Sequence, residues 1–218
     1  MNVSFLPAKA NLLPAPLMNR VIKFKIDPPT EDSWAKWMTS HYGNDWDKRI
    51  YVFLKRFHSE HYILKLPSET ETLNAFPTPR SWSDLALLMK AGLTSQDIIN
   101  GLVGEEVGLK LRGFLETKVD VKDLLKEPRK WYELNIDGKY MCALMLSSYI
   151  NQHYKEVNTV LPLLEVMMRD SRDFIVVTCM GVSENKLARF LQILSKIKPD
   201  IVEMLGEVVE RKRRVEVK

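Results

Sequence analysis

From Pro29 onward the apolar residues of this chain recur every three or four positions and hardly anywhere every two. That spacing stacks side chains on one face of a helix. The stretches between are rich in residues that start and stop helices. The pattern therefore predicts a mainly α fold. Thr30 is placed to cap a helix carrying Trp34, Trp37, Met38 and His41, and Gly43-Asn44 to end it. Asp47–His58 follows, with Ile50, Phe53, Leu54 and Phe57 in one stripe. Phe76-Pro77-Thr78-Pro79-Arg80 forces an extended approach, because a residue before proline is pushed out of the α region. Ser81-Trp82-Ser83-Asp84 reads as a capping box, which predicts a helix from Trp82 to near Lys90. Thr94-Ser95-Gln96-Asp97 reads as a second, opening a helix to Asn100 that Gly101 breaks. Val103–Glu116 is a longer helix and Val121–Lys126 a short one in a polar connection. Met141–Tyr154, Asn158–Arg169, Glu184–Ile197 and Pro199–Arg211 complete the helical segments. Phe174–Met180 fits a buried strand or a helix end equally, since a short apolar run has no period to read.

One segment breaks the rule. In Val21–Ile26 the residues Ile22, Phe24 and Ile26 alternate with Lys23 and Lys25, the signature of a half-buried strand, and Pro28-Pro29 ends it. A lone strand with that apolar face open is sticky, so cover by another element or a partner chain is expected.

Composition narrows the function classes. The 218 residues carry 32 basic and 28 acidic side chains, a net charge of +4, too small to demand nucleic acid or to exclude it. No apolar run approaches the length of a membrane span, and the Pro-rich start lacks the pattern of a signal peptide. Two cysteines, Cys142 and Cys179, fit a reducing cytoplasm, and Cys142 among Met141, Ala143 and Leu144 reads as a buried thiol.

Two motifs carry a resemblance. Leu13-Pro14-Ala15-Pro16-Leu17-Met18-Asn19-Arg20-Val21 precedes the strand, and Phe76-Pro77-Thr78-Pro79-Arg80-Ser81-Trp82 precedes a helix. In this order, with Gly101-Leu102-Val103-Gly104 after them, they resemble the second half of a MoxR-like AAA+ ATPase. The resemblance spans residues 13–116 and is weak beyond 118. It implies a helical AAA+ lid-type bundle with a short N-terminal strand remnant and a helical C-terminal extension. Residues 1–28 would be the remnant of the αβ nucleotide-binding domain, 29–118 the lid and 119–218 the extension. It also implies ATP and Mg²⁺ as cofactors, a ring of AAA+ subunits, and chaperone-like remodelling of a protein client.

The departure from the family bears on activity. No Gly-Lys-Ser/Thr phosphate loop occurs in the sequence, nor an apolar strand ending in the acidic residues that hold Mg²⁺. The expectation is the C-terminal part of such an ATPase, with its first motifs upstream or on a separate P-loop half, and no ATP hydrolysis by this chain alone.

Each candidate residue also has an ordinary reading. Arg80 lies where a helix begins, an end already positive, and an anion bridging the guanidinium and the helix N–H groups explains it. In the resembled family this arginine is sensor 2, on the γ-phosphate; the ordinary reading is a solvated or carboxylate-paired side chain. For Arg20 the resemblance implies an arginine finger reaching a neighbouring subunit's nucleotide, a catalytic role; the alternative is an arginine that orders the Pro-rich loop. Asn19 reads as a turn former, and Asn2 has no flanking motif. Trp34, Trp37 and Trp82 read as core. His58 and His61 lack a third ligand at metal spacing, so no metal is expected. Arg211–Arg214 suits a solvated tail or an acidic or nucleic-acid partner. The functional alternative to the ATPase fragment is an autonomous helical protein- or nucleic-acid-binding adaptor.

Overall fold

The computed structural model describes residues 20, 22, 24, 26–67 and 74–203. The described chain is mainly helical, and no strand occurs among the described residues. Of the Val21–Ile26 segment only Ile22, Phe24 and Ile26 are described; none is in a strand, and all three are about four-fifths exposed, at 81%, 77% and 79%. Most of the Leu13–Val21 motif, Asn2 and the Arg211–Arg214 cluster lie outside the described residues, as does the helix from Pro199 beyond residue 203.

The first half begins with α1 (Glu31–Tyr42), capped by Thr30, whose side chain accepts from the Ser33 N–H at 3.2 Å. Next comes α2 (Arg49–Arg56), shorter than the Asp47–His58 stripe because the backbone tightens into a 3-10 turn over His58–Glu60. The remaining helices of this half are α3 (Pro79–Lys90), α4 (Gln96–Val103) and α5 (Glu105–Leu115). They enclose Trp82, fully buried, whose indole N–H donates to the Tyr62 carbonyl at 2.7 Å. Around it the Phe53 ring meets Phe57, Tyr62, Trp82 and Phe114, all within 6 Å between ring centres.

Gly101 does not break a helix. It lies inside α4, where a glycine costs only about 1 kcal/mol that the burial of Ile99 and Val103 outweighs. The break comes at Gly104, with φ 82° and ψ 159°, a conformation essentially restricted to glycine.

The second half holds α6 (Val121–Lys126), a 3-10 segment over Pro128–Glu133, α7 (Ile136–His153), α8 (Val157–Asp170), α9 (Arg172–Gly181) and α10 (Glu184–Ile197). The start of α7 precedes the apolar run from Met141, because Asn135 caps the Gly138 N–H at 2.8 Å. Phe174–Met180 belongs to the helix α9. That helix is covered by α7 and α8, so apolar residues fall on most of its faces and the period disappears. Trp131 plugs this half, edge-on to Phe174 at 4.9 Å and donating to Asp170 at 3.0 Å.

The segment near residue 118 runs between α5 and α6, and α2 packs on α7 across it. The buried side chains from Trp34 to Ile201 form one continuous cluster. Across the same joint Arg56 pairs with Asp137 at 2.6 Å, while within the first half Asp32 accepts from Tyr51 at 2.8 Å and Lys55 at 3.0 Å. Burial and the Asp32 carboxylate push the Tyr51 phenol well up, so it stays a neutral donor.

Candidate functional site

The region around Arg80 is built by Pro79. Pro79 occupies the first position of α3, where its missing N–H is no loss and its fixed φ suits a helix. It also holds Thr78 extended, with φ −135° and ψ 159°. Thr78 is thus the N-cap: its hydroxyl accepts from the Ser81 N–H at 3.0 Å, and Ser81 Oγ accepts from the Thr78 N–H at 2.8 Å. The capping box lies three residues before the predicted one, at Thr78–Ser81 rather than Ser81–Asp84, because proline at the first position fixes the start. Arg80 therefore sits inside the first turn and not ahead of it.

This shift changes what the helix end can offer an anion. Proline has no N–H, the Ser81 N–H is taken by Thr78, and the Trp82 N–H bonds the Thr78 carbonyl at 3.0 Å. The grip available is the Arg80 guanidinium together with the one remaining backbone N–H, that of Arg80 itself. The Arg80 side chain is exposed and makes no ion pair with a described residue. Arg20 is exposed as well. No described contact brings the two arginines together.

The segments around Phe76-Pro77 and Gly104 do meet. At Gly104 an added Cβ would lie 2.6 Å from the Ala75 carbonyl oxygen, so the α4–α5 break rests directly on the backbone leading to Phe76-Pro77. Lys65 donates its backbone N–H to Pro77 at 3.2 Å, and its ammonium pairs with Glu106 at 2.9 Å. Between them opens a cleft of about 410 Å³, lined among others by Lys65, Phe76, Pro77, Gly104 and Glu105; neither arginine lines it.

Of the other candidates, Trp34 and Trp82 are core, Trp34 donating to Ser83 at 3.0 Å and to the Pro79 carbonyl at 3.1 Å. Trp37 is exposed, with its ring 4.5 Å from His41 and 5.9 Å from Tyr42. His58 bonds the buried Glu31 at 3.0 Å, with the His61 ring 6.3 Å away. Among the described residues no group of three His, Cys, Asp or Glu side chains is arranged to hold a metal ion. Both cysteines are buried and unbridged, and burial pushes the Cys142 thiol up to about 12. No described helix is long and apolar enough to cross a membrane.

Sequence reasoning missed a cationic group on the second half. Arg189 Nη1 donates to the Tyr154 hydroxyl at 3.4 Å, and Lys155 and Lys186 lie close by. The only signal was the spacing of Lys186 and Arg189, three apart on one helix. Compared with models of known protein families, with curated proteins and with solved structures, the chain matches none.

Proposed function

We propose that this chain is the lid-bearing part of a AAA+-type ATPase of the MoxR-like kind, working with a phosphate loop carried by another polypeptide segment. In this reading Arg80 contacts the terminal phosphate of ATP within the subunit. Arg20 reaches the nucleotide of the neighbouring subunit and neutralises charge that develops on the transferring phosphoryl group. Lid movement that follows the phosphate contact then works on a protein client. The residues of this chain suit one end of a triphosphate only; the Mg²⁺ and the cradle belong to the other segment.

The observation that carries the reading is Arg80 itself. A cation in the first turn of a helix is disfavoured by a few tenths of a kcal/mol or more. Here it is exposed and without a described carboxylate to offset that cost. It also follows Phe76-Pro77, a motif held in place by Gly104 and Lys65. An incoming oxyanion supplies the missing partner.

The test has two arms. The full chain titrated with a Mg²⁺-bound ATP analogue shows no tight saturable binding, because no phosphate loop is present; tight binding refutes the reading. Together with a P-loop polypeptide encoded beside it, ATP turnover appears, and Arg80→Ala lowers it by about 10²-fold or more. Unchanged turnover removes Arg80 from the site.

A second reading, an autonomous helical adaptor, has its own support. The core is continuous from Trp34 to Ile201, and the Trp37, His41 and Tyr42 rings cluster at the surface of α1. A folded, monomeric chain that fails to join any P-loop polypeptide, yet binds a protein through that face, favours it.

A further inference from the structure

The end of α7 and the start of α10 bring charged side chains together. Tyr154 closes α7, and Lys155 follows it. Lys186 and Arg189 lie one turn apart on α10. Arg189 donates to the Tyr154 hydroxyl at 3.4 Å, and its guanidinium carbon lies 5.9 Å from the centre of the Tyr154 ring. The Lys155 ammonium is 5.9 Å from the same ring centre. Two cations thus meet at one tyrosine, with Lys186 one turn before Arg189 on the same helix.

Hydrogen bonds tie their two helices together. Asn151, one turn earlier on α7, bonds the turn between α9 and α10 from three sides. Its amide donates to the Gly181 carbonyl at 3.0 Å, and its side-chain oxygen accepts from the Ser183 N–H at 2.9 Å and the Ser183 hydroxyl at 3.1 Å. Its backbone carbonyl accepts from Lys186 at 2.6 Å.

Carboxylate partners separate these cations from several others in the fold. Lys55, Arg56, Lys65, Lys110 and Lys139 each rest on a carboxylate. Lys155, Lys186 and Arg189 pair with no carboxylate among the described residues. Glu156, the nearest acid in sequence, is engaged by Tyr149 at 2.7 Å and His153 at 3.0 Å. Glu184 opens α10 and makes no ion pair with these cations. The potential at the phenol is accordingly positive: the Arg189 hydrogen bond, with Lys155 and Lys186 adding to it, holds the Tyr154 phenol below its ordinary value.

We propose that Tyr154, Lys155, Lys186 and Arg189 form a binding site for a compact phosphate-type oxyanion. The guanidinium supplies paired donors, the ammonium groups supply charge, and the phenol donates its proton to an anion oxygen. Clustering at one tyrosine favours a compact anion over a nucleic-acid strand, which needs cations spread along a track.

Inorganic pyrophosphate is the probe, titrated at fixed ionic strength into the full chain carrying ring-labelled tyrosine, with Tyr154→Phe to assign the resonance. The Tyr154 signal shifts saturably, and its phenol titrates at higher pH when the anion offsets the cations. K186Q/R189Q alters exposed side chains and weakens binding by about tenfold or more. Lys155→Gln gives a smaller loss in the same direction and stands in if the double variant misfolds. The site is refuted by an absent saturable shift, by unchanged affinity in the variants, or by a single-stranded oligonucleotide that binds where pyrophosphate does not.

Discussion

Gly104 and Gly101 lie one helical turn apart, and alanine at the two positions should have opposite effects. Gly104 has φ 82° and ψ 159°, a region that costs a residue with a side chain on the order of 1–3 kcal/mol. The added Cβ would also meet the Ala75 carbonyl oxygen at 2.6 Å. That oxygen is backbone and cannot swing aside, so either α5 or the strand-like run to Pro77 must shift, at a further cost of about 1–3 kcal/mol. Gly104→Ala is expected to lose about 3 kcal/mol in all, or roughly 6–12 °C in melting temperature for a chain of this size. Gly101 lies within α4 with nothing inside 4 Å of an added Cβ. There alanine restricts the unfolded chain and favours the helix, a gain of about 0.5–1 kcal/mol. Urea unfolding followed by far-UV circular dichroism reads both. Equal destabilisation by the two variants, or a Gly104→Ala variant within about 1 kcal/mol of the parent, would show that α4 and α5 do not dock on Ala75 as described.

Other perturbations have defined outcomes. With its thiol pushed up to about 12 by burial, Cys142 should resist alkylation at pH 8 in the folded chain and react once urea unfolds it; labelling in native buffer contradicts the packing. Asp170 is held below its ordinary value of 3.8 by Lys139 at 2.8 Å, with Trp131 assisting. A depressed carboxylate contributes stability above its unfolded value and loses it as pH falls through the folded one. Asp170→Asn should therefore be less stable than the parent at neutral pH, with the gap closing below about pH 4; a gap that does not depend on pH rejects the pairing. Trp82→Phe leaves the Tyr62 carbonyl without its indole partner in the core and removes packed volume. It should cost about 2–4 kcal/mol by chemical denaturation, and a neutral result means the ring is not enclosed.

Much of this architecture was legible from local pattern. Val121–Lys126 and Glu184–Ile197 begin and end where the sequence places them, because amphipathic period and flanking residues agree. Ambiguity arose where local signals compete. Thr78 and Ser81 both have capping side chains, and Pro79 decides between them by setting the first helical residue. Gly101 and Gly104 look alike in sequence, but only one sits against another backbone. Phe174–Met180 has no period because α7 and α8 cover it, and burial from several sides erases the signal that exposes a helix in sequence. As for the candidate site, the motif singles out Arg80, while its helical position and the number of donors beside it were not readable.

Residue spacing alone determined that this chain is helical and where most helices lie, since caps, prolines and the 3.6-residue period act within a few neighbours. Contact between distant segments decided the rest. It joined α2 to α7 in one core, set Gly104 against the Ala75 backbone, and brought Arg189 to the Tyr154 hydroxyl. Such groupings depend on how helices pack, and packing is set by the sum of many long-range contacts that no short stretch of sequence contains.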